Sequence, residues 1–390
     1  MKRLLVIAAT TALASGSGLA ATALAAPSPT GVTHRNVHVC ATPSTAGIAS
    51  CHAIRHDTLR DGKPVSPNAT SPTGYGPSDL RSAYNLTTTG SSSTTIAIVD
   101  AYDLPTAESD LATYRSTFGL PACTSTTGCF RQVGQTGGAR PAADASWGQE
   151  IALDIDMASA ICPNCKILLV EATSASLADL ATAVNWAATQ GVAVISNSYG
   201  GTESSPNGAY NHSGIAITVS TGDSGYGVQS PASYPWVTAV GGTSLTRATN
   251  TRGWTETAWS GAGSGCSRYS AKPSFQANVA TSCSNRAVAD VSAIADPNTG
   301  VAVYDSTAYQ GASGWLKFGG TSVAAPVIAG VYALAGTGLS NATPYGNTAA
   351  LYDVTSGKNG RCNRTPVLCT AGAGWDGPTG LGTPNGTAAF

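Results

Sequence analysis

Apolar runs of strand length alternate along this chain with segments of helical period. "TTIAIVDAY" (94–102) is an almost unbroken apolar and β-branched run, whereas "TAESDLATYRSTFG" (106–119) spaces its apolar residues as one face of a helix. In "SWGQEIALDIDMASAICP" (146–163), Ser146 followed three residues later by Gln149 predicts a capping box at a helix start, and Pro163 lies just past the end. "KILLVEA" (166–172) predicts a strand, "SLADLATAVNWAATQG" (176–191) a helix closed by Gly191, and "VAVISNSYG" (192–200) another strand. "GIAITVSTGDSG" (214–225) and "WVTAVGG" (236–242) add two more. Strands without polar alternation, separated by helices, predict an α/β fold with a mostly parallel central sheet and helices on both faces.

The ends read differently. Residues 1–26 have a basic start at Lys2 and Arg3, an apolar stretch and a small-residue run before Pro27, the pattern of a secretory signal peptide. Residues 27–72 are rich in Pro, Ser and Thr and read as a short leader and linker, apart from a main domain at 73–390. Four of the five histidines, His34, His38, His52 and His56, fall in that leader; the fifth is His212.

A formal net charge of −1 with 11% charged residues leaves no basic patch for nucleic acid or an anionic membrane surface. No later apolar run approaches the ~20 residues that span a bilayer. The expectation is a secreted, monomeric protein. Ten cysteines suit an oxidising destination and fall into neighbours: Cys40 with Cys51, Cys123 with Cys129, Cys162 with Cys165, Cys266 with Cys283, and Cys362 with Cys369. Local pairing is the expectation, although spacing does not fix connectivity. "CPNC" (162–165) reads as a structural disulfide, since no second such pair accompanies it.

Ser322 in "FGGTSVAAP" (318–326) stands among small residues where a loop turns into a helix, and a serine needs a neighbouring base to become nucleophilic. Asp100, His212 and Ser322 follow one of the known orders of a Ser-His-Asp triad, but "PNGAYNHSG" is a polar loop that leaves His212 a surface residue. Glu150 and Asp154 are four apart on a helix whose neighbours, Ile151, Leu153, Ile155 and Met157, are apolar. Two carboxylates on one buried helical face share a proton and can act as a base at acid pH. Asp223, in "VSTGDSGYG", ends a predicted strand; a protonated acid there could donate to a developing oxyanion, although alone it reads as a turn residue. The same GDSG could mark Ser224 as nucleophile, but the all-β pattern of that protease class is missing. Asp100 ends the first strand and is either a supporting acid or a buried strand-end Asp. No G-x-S-x-G elbow surrounds Ser322, Ser198 or Ser224, which argues against an esterase.

Together, "GGTSVAAP", "EIALD" and "GDSG" followed by "SPASYPWVTAVGGTSL" resemble the sedolisins, or serine-carboxyl peptidases, over about residues 75–390. The resemblance implies a subtilisin-like fold and a Ser-Glu-Asp triad. It assigns Ser322 as nucleophile, Glu150 as base, Asp154 as its partner, Asp223 as oxyanion donor and Asp100 as a supporting acid. It implies a secreted endopeptidase acting on protein or peptide substrates at acid pH. The alternatives are a tripeptidyl-peptidase of the same family and an inactive binding protein on the same fold. "LYDVTSG" and "AGAGWDGPTGLGTPNG" resemble the family's calcium site, which implies one structural Ca2+ held by Asp353 and Asp376 with the carbonyls of Val354, Gly372 and Gly374. Many sedolisins carry a long prodomain, where here only residues 27–72 separate the signal from the catalytic part.

Overall fold

The computed structural model describes residues 31–61, 63–64, 68–336 and 340–390, so the expected signal peptide lies outside the described residues. The main sheet has eight strands among them. From one edge it runs 254–258, 238–247, 216–220, 194–197, 95–101, 166–172 and 130–134, with 291–294 also paired to 238–247. All pairings are parallel except that of 238–247 with 254–258. The apolar strands are buried as their sequences require: every residue of Val194–Asn197 and Ala216–Ser220 is inaccessible.

Helix Ala145–Ile161 packs on helix Thr321–Ala335 and on the sheet. It is buried almost all round, and Ile151, Leu153, Ile155 and Met157 are fully inaccessible, each contributing about 1.5–3 kcal/mol. Its start differs from the capping box expected at Ser146. Asp144 is the cap, in extended backbone, and its carboxylate accepts from the N–H of Ser146 (2.9 Å) and Trp147 (3.1 Å). A carboxylate that takes two amides and faces the positive end of the helix outcompetes a hydroxyl. Gln149 instead accepts from Arg55 Nη1 at 3.0 Å.

The leader does not stand apart. Strands Val32–His38 and Ile54–Arg60 form an antiparallel pair, and the second joins strand Ala312–Gly319, which leads directly into the helix bearing Ser322. Ser50–Cys51 pairs with Tyr199–Thr202 on the other side of the cleft. His52 and Arg55 are buried; Arg55 is held by Asp57, Gln149 and the Tyr309 carbonyl. A Pro/Ser/Thr-rich composition concealed this because the pairing partners lie far along the chain. The five neighbouring cysteine pairs all form disulfides, Cys162–Cys165 included.

A buried ion pair ties the carboxyl-terminal third to the sheet. Arg286 Nη2 meets Asp290 Oδ2 at 2.6 Å with both side chains inaccessible, while Asp290 also accepts from Ala239 N and Tyr345 Oη. Arg286→Met leaves that carboxylate without its cation and should destabilise the protein by about 3–5 kcal/mol, read from urea unfolding at neutral pH; a loss below about 1 kcal/mol contradicts this account.

Candidate active site

The carboxyl ends of the parallel strands and the start of one helix bring the predicted residues into a single buried cluster. Asp100 ends strand Thr95–Ala101, Ser198 follows strand Val194–Asn197, and Asp223 lies in the turn after Ala216–Ser220. Glu150 and Asp154 reach in from helix Ala145–Ile161, and Ser322 is the second residue of helix Thr321–Ala335. Glu150, Asp154, Asp100, Ser198 and Ser322 are all fully inaccessible.

Local backbone chemistry sets the nucleophile. Gly320, at φ +96°, precedes the helix; a Cβ there would lie 1.8 Å from the His52 carbonyl oxygen and 2.7 Å from Asp223 Oδ2, so only glycine fits. Thr321 N and Oγ1 both donate to Asp223 Oδ1 at 2.8 Å, which aims the free oxygen, Oδ2, at Gly320. Pro326 has no N–H to give the Ser322 carbonyl, four residues back. That carbonyl instead lies 3.3 Å from Ser198 Oγ, which is also 2.8 Å from Asp154 Oδ1. Ser198 was weighed only as a nucleophile from the sequence; its position after a buried strand was the available signal for this bridging part.

The acids hold protons far above the ordinary carboxylate range. Burial, then the Asp100 charge, raises Glu150, while the Ala53 amide favours its ionised form. Asp154 is raised by burial, by Asp100 and by Glu150. Burial alone brings Asp100 to about 8, and neither of its oxygens has a hydrogen-bond partner among the described residues. Asp223 retains some accessible surface as a residue, but its Oδ2 is buried; burial raises it to about 7 against the hydrogen bonds from Thr321. In this state Ser322 Oγ donates to the Ser198 carbonyl at 3.3 Å, and Glu150 Oε1 has no hydrogen-bond partner.

The leader crosses this cluster. Cys51 pairs with Tyr199 and Ser50 with Gly200, His52 N donates to the Ser198 carbonyl at 3.2 Å, and Ile54 pairs with Gly319. Between them, Ala53 N donates to Glu150 Oε2 at 2.9 Å. Nothing in the sequence alone signalled that contact.

Other predicted positions fall elsewhere. His212 stays in its own loop, with Nε2 bonded to the Ala209 carbonyl at 3.0 Å, and Ser224 is exposed. The segment 372–376 is bonded to both acids: Asp353 Oδ2 accepts from Gly374 N (2.9 Å) and Asp376 Oδ2 from Gly372 N (3.1 Å), and the Asp353 charge adds to burial in raising Asp376. Val354, the residue after Asp353, is buried. Among the described residues no group of three or more His, Cys, Asp or Glu side chains is placed to hold a metal. A cation at this loop therefore depends on backbone oxygens beside two carboxylates, a donor set that suits calcium.

The sequence profile of the Subtilase family matches residues 140–367, more than half of the chain. The chain belongs to the subtilase family. Within it the likeness is to the sedolisins. The chain is 32% identical over 366 residues to kumamolisin from Bacillus sp. (strain MN-32), covering 81% of this chain and 63% of that protein. It is 29% identical over 377 residues to human tripeptidyl-peptidase 1, covering 80% of this chain and 63% of that protein. It thus spans less than two thirds of the length of these relatives. The crystal structure of Pseudomonas sedolisin, a serine-carboxyl proteinase complexed with pseudo-iodotyrostatin, superposes with a TM-score of 0.67 at 25% identity, over 81% of this chain and 96% of that one. The fold is subtilisin-like, with its mostly parallel sheet as expected.

Raised carboxyl pKa values make stability depend on pH with a definite sign. The folded chain holds protons at Asp100 and Asp223 up to about pH 8 and about pH 7, where unfolded carboxylates have lost theirs near pH 4, so stability falls as pH rises across that window. His52 and His56, each lowered to about 4 with burial the largest cause, oppose this by one proton each at most, below about pH 6.5. The melting temperature should drop by at least ~5 °C from pH 5 to pH 8, and Asp100→Asn should shrink the drop. Equal melting temperatures at the two pH values would contradict the buried-acid account.

Proposed function

We propose that this chain is a secreted serine-carboxyl endopeptidase that hydrolyses peptide bonds at acid pH. The observation that carries the reading is the convergence of Ser322, Glu150, Asp154 and Asp223 from separate parts of the chain into one largely buried cluster at the edge of the sheet. Ser322 Oγ attacks a substrate carbonyl while Glu150 takes its proton and later returns it to the leaving amine. Asp154, tied to Ser198, keeps Glu150 oriented and shares its proton. Asp100, buried behind them, raises both acids, so that the cluster holds protons where free carboxylates would not. Asp223 in its protonated form donates from Oδ2 to the developing oxyanion, at the amino end of a helix whose dipole favours negative charge.

The cleft supports the endopeptidase form, because the leader passes through it from Ser50 to Arg55 without ending there. A site closed for tripeptide release would stop a chain three residues from the bond. The five disulfides fit export to an oxidising compartment. No helix among the described residues is long and apolar enough to cross a membrane.

Asp353 and Asp376, with the carbonyls of Val354, Gly372 and Gly374, would hold a structural Ca2+, which when bound neutralises two neighbouring acids and braces the loop. Calcium should raise the melting temperature by several degrees over a chelator-treated sample, and Asp376→Asn should abolish the difference. No effect of calcium on melting would remove this site.

Ser322→Ala and Glu150→Ala should each lower hydrolysis of a denatured protein by at least ~10³-fold, while His212→Ala leaves it unchanged. Activity should fall as pH rises through about 7, where Asp223 loses its donor proton, and Asp223→Asn, which keeps an N–H at every pH, should move that limb upward. Activity surviving Glu150→Ala but lost in His212→Ala would replace this triad with a histidine mechanism.

A further inference from the structure

Two histidines meet on the leader's strand pair, away from the acid cluster. Where Val32–His38 pairs with Ile54–Arg60, His34 stands opposite Thr58 and Asn36 opposite His56, so these four side chains share one face. The imidazoles of His34 and His56 stack diagonally across the pair, with centroids 5.0 Å apart and planes 20° from parallel. His34 is exposed and His56 half-buried.

A chain of hydrogen bonds decides which nitrogen of His56 is free. Asp296 Oδ1 accepts from Asn298 Nδ2 at 2.8 Å, and a carboxylate has no proton to give. Asn298 therefore turns its carbonyl oxygen toward Asn36, whose Nδ2 lies 3.5 Å away. That leaves Asn36 Oδ1 facing His56 Nδ1 at 2.7 Å. A carbonyl oxygen only accepts, so the hydrogen is on Nδ1 and Nε2 keeps its lone pair. On the neighbouring strand Thr58 Oγ1 lies 3.3 Å from His34 Nδ1, and a hydroxyl that accepts there frees the His34 Nε2 in the same way. Metal sites orient their histidines by this arrangement, with one ring nitrogen donating to a fixed oxygen and the other offered to the ion.

Burial, then the charges of Lys317 and His34, lowers the His56 imidazole to about 4, which keeps its lone pair available at neutral and weakly acid pH. The Lys317 ammonium, which donates to the Asn298 carbonyl at 3.0 Å, opposes a bound cation; the charges of Asp57 and Asp296 favour one. No third His, Cys, Asp or Glu completes a metal-holding group with the two rings among the described residues. Imidazole ligands with water suit Zn2+, Ni2+ or Cu2+ rather than Ca2+ or Mg2+.

We propose that His34 and His56 form a transition-metal site, each offering Nε2, with Asn36 and Thr58 as orienting partners and water in the remaining positions. Each ring tips from the stack to bring its nitrogen to ~2.0–2.1 Å from the ion. The bound ion ties Val32–His38 to Ile54–Arg60. That edge strand is otherwise paired on one side only, and all its residues but Val37 are exposed. The site does not depend on the peptidase reading.

The test titrates the full, untagged chain carrying Ser322→Ala, which keeps it intact, with ZnSO4 at neutral pH. Calorimetry reads the stoichiometry, and NMR reads the imidazole resonances. The expected result is one Zn2+ per chain, shifting the signals of His34 and His56 and leaving that of His212 in place. His34→Gln and His56→Gln should each weaken binding at least ~10-fold, and so should Asn36→Leu, which keeps both imidazoles but removes the oxygen that holds Nδ1. His38→Gln, at a residue that lines the cleft with His52 and Gln229, should leave the affinity unchanged. CaCl2 should move neither signal, which separates this site from the loop at Asp353 and Asp376. No saturable binding below ~1 mM Zn2+, or binding that persists without His34 and His56, overturns the proposal. So does a Zn2+ titration of the parent chain that leaves both signals where they were, a result that stands even if a variant fails to fold.

Discussion

Four carboxyl groups share a space that water does not reach, and the architecture of this protein is arranged around keeping them there. Asp100, Glu150 and Asp154 are fully buried, and the free oxygen of Asp223 is buried with them. Ionised together they would repel through a medium of low dielectric, so protons remain where water would have removed them. The fold tolerates this because the acids sit on rigid elements. Two are on a helix buried nearly all round, one ends a strand whose neighbours are paired on both sides, and one is pinned by two hydrogen bonds from Thr321. The same lack of water that raises these groups makes a carboxylic acid usable as a hydrogen-bond donor and another usable as a base for a serine.

Around that cluster the backbone does most of the shaping. Pro326 withholds an amide, and the freed Ser322 carbonyl becomes a neighbour of Ser198, which also touches Asp154. Gly320 leaves an opening at the nucleophile that any side chain would fill with atoms of His52 and Asp223. The two edges that flank the opening, Tyr199–Thr202 and the end of Ala312–Gly319, take their pairing on this side from the segment between them. An extended chain is the natural occupant, since its own amides and carbonyls complete both edges at once. In this structure the occupant is the leader.

The stretch that matches the Subtilase profile, residues 140–367, takes in the acid helix, the turn at Asp223 and the helix at Ser322. In this chain a short disulfide-closed segment reaches the cluster, and the side chains of Ser220 and Gln229 receive its His52.

Much of this was legible along the chain. The strands from 95 to 220 and the helices between them follow from apolar runs and helical periods, because those elements bury what their own sequences make apolar. Glu150 and Asp154 were recognisable as a pair because four residues of helix place them on one face, and the neighbouring apolar residues implied burial. The disulfides followed chain proximity. The helix start at Asp144 was misread by two residues, since a cap is decided by which side chain reaches the free amides. The leader was misread more deeply: its composition describes a linker, yet His52 packs against Ser220 and Gln229, and Ala53 reaches Glu150 across a separation of 97 residues. Sequence determined the elements and the kinds of chemistry they carry, because periodicity and residue type are local. Only the tertiary structure decided which groups meet, because contact between residues distant along the chain depends on how the sheet and its crossings bring separate segments together.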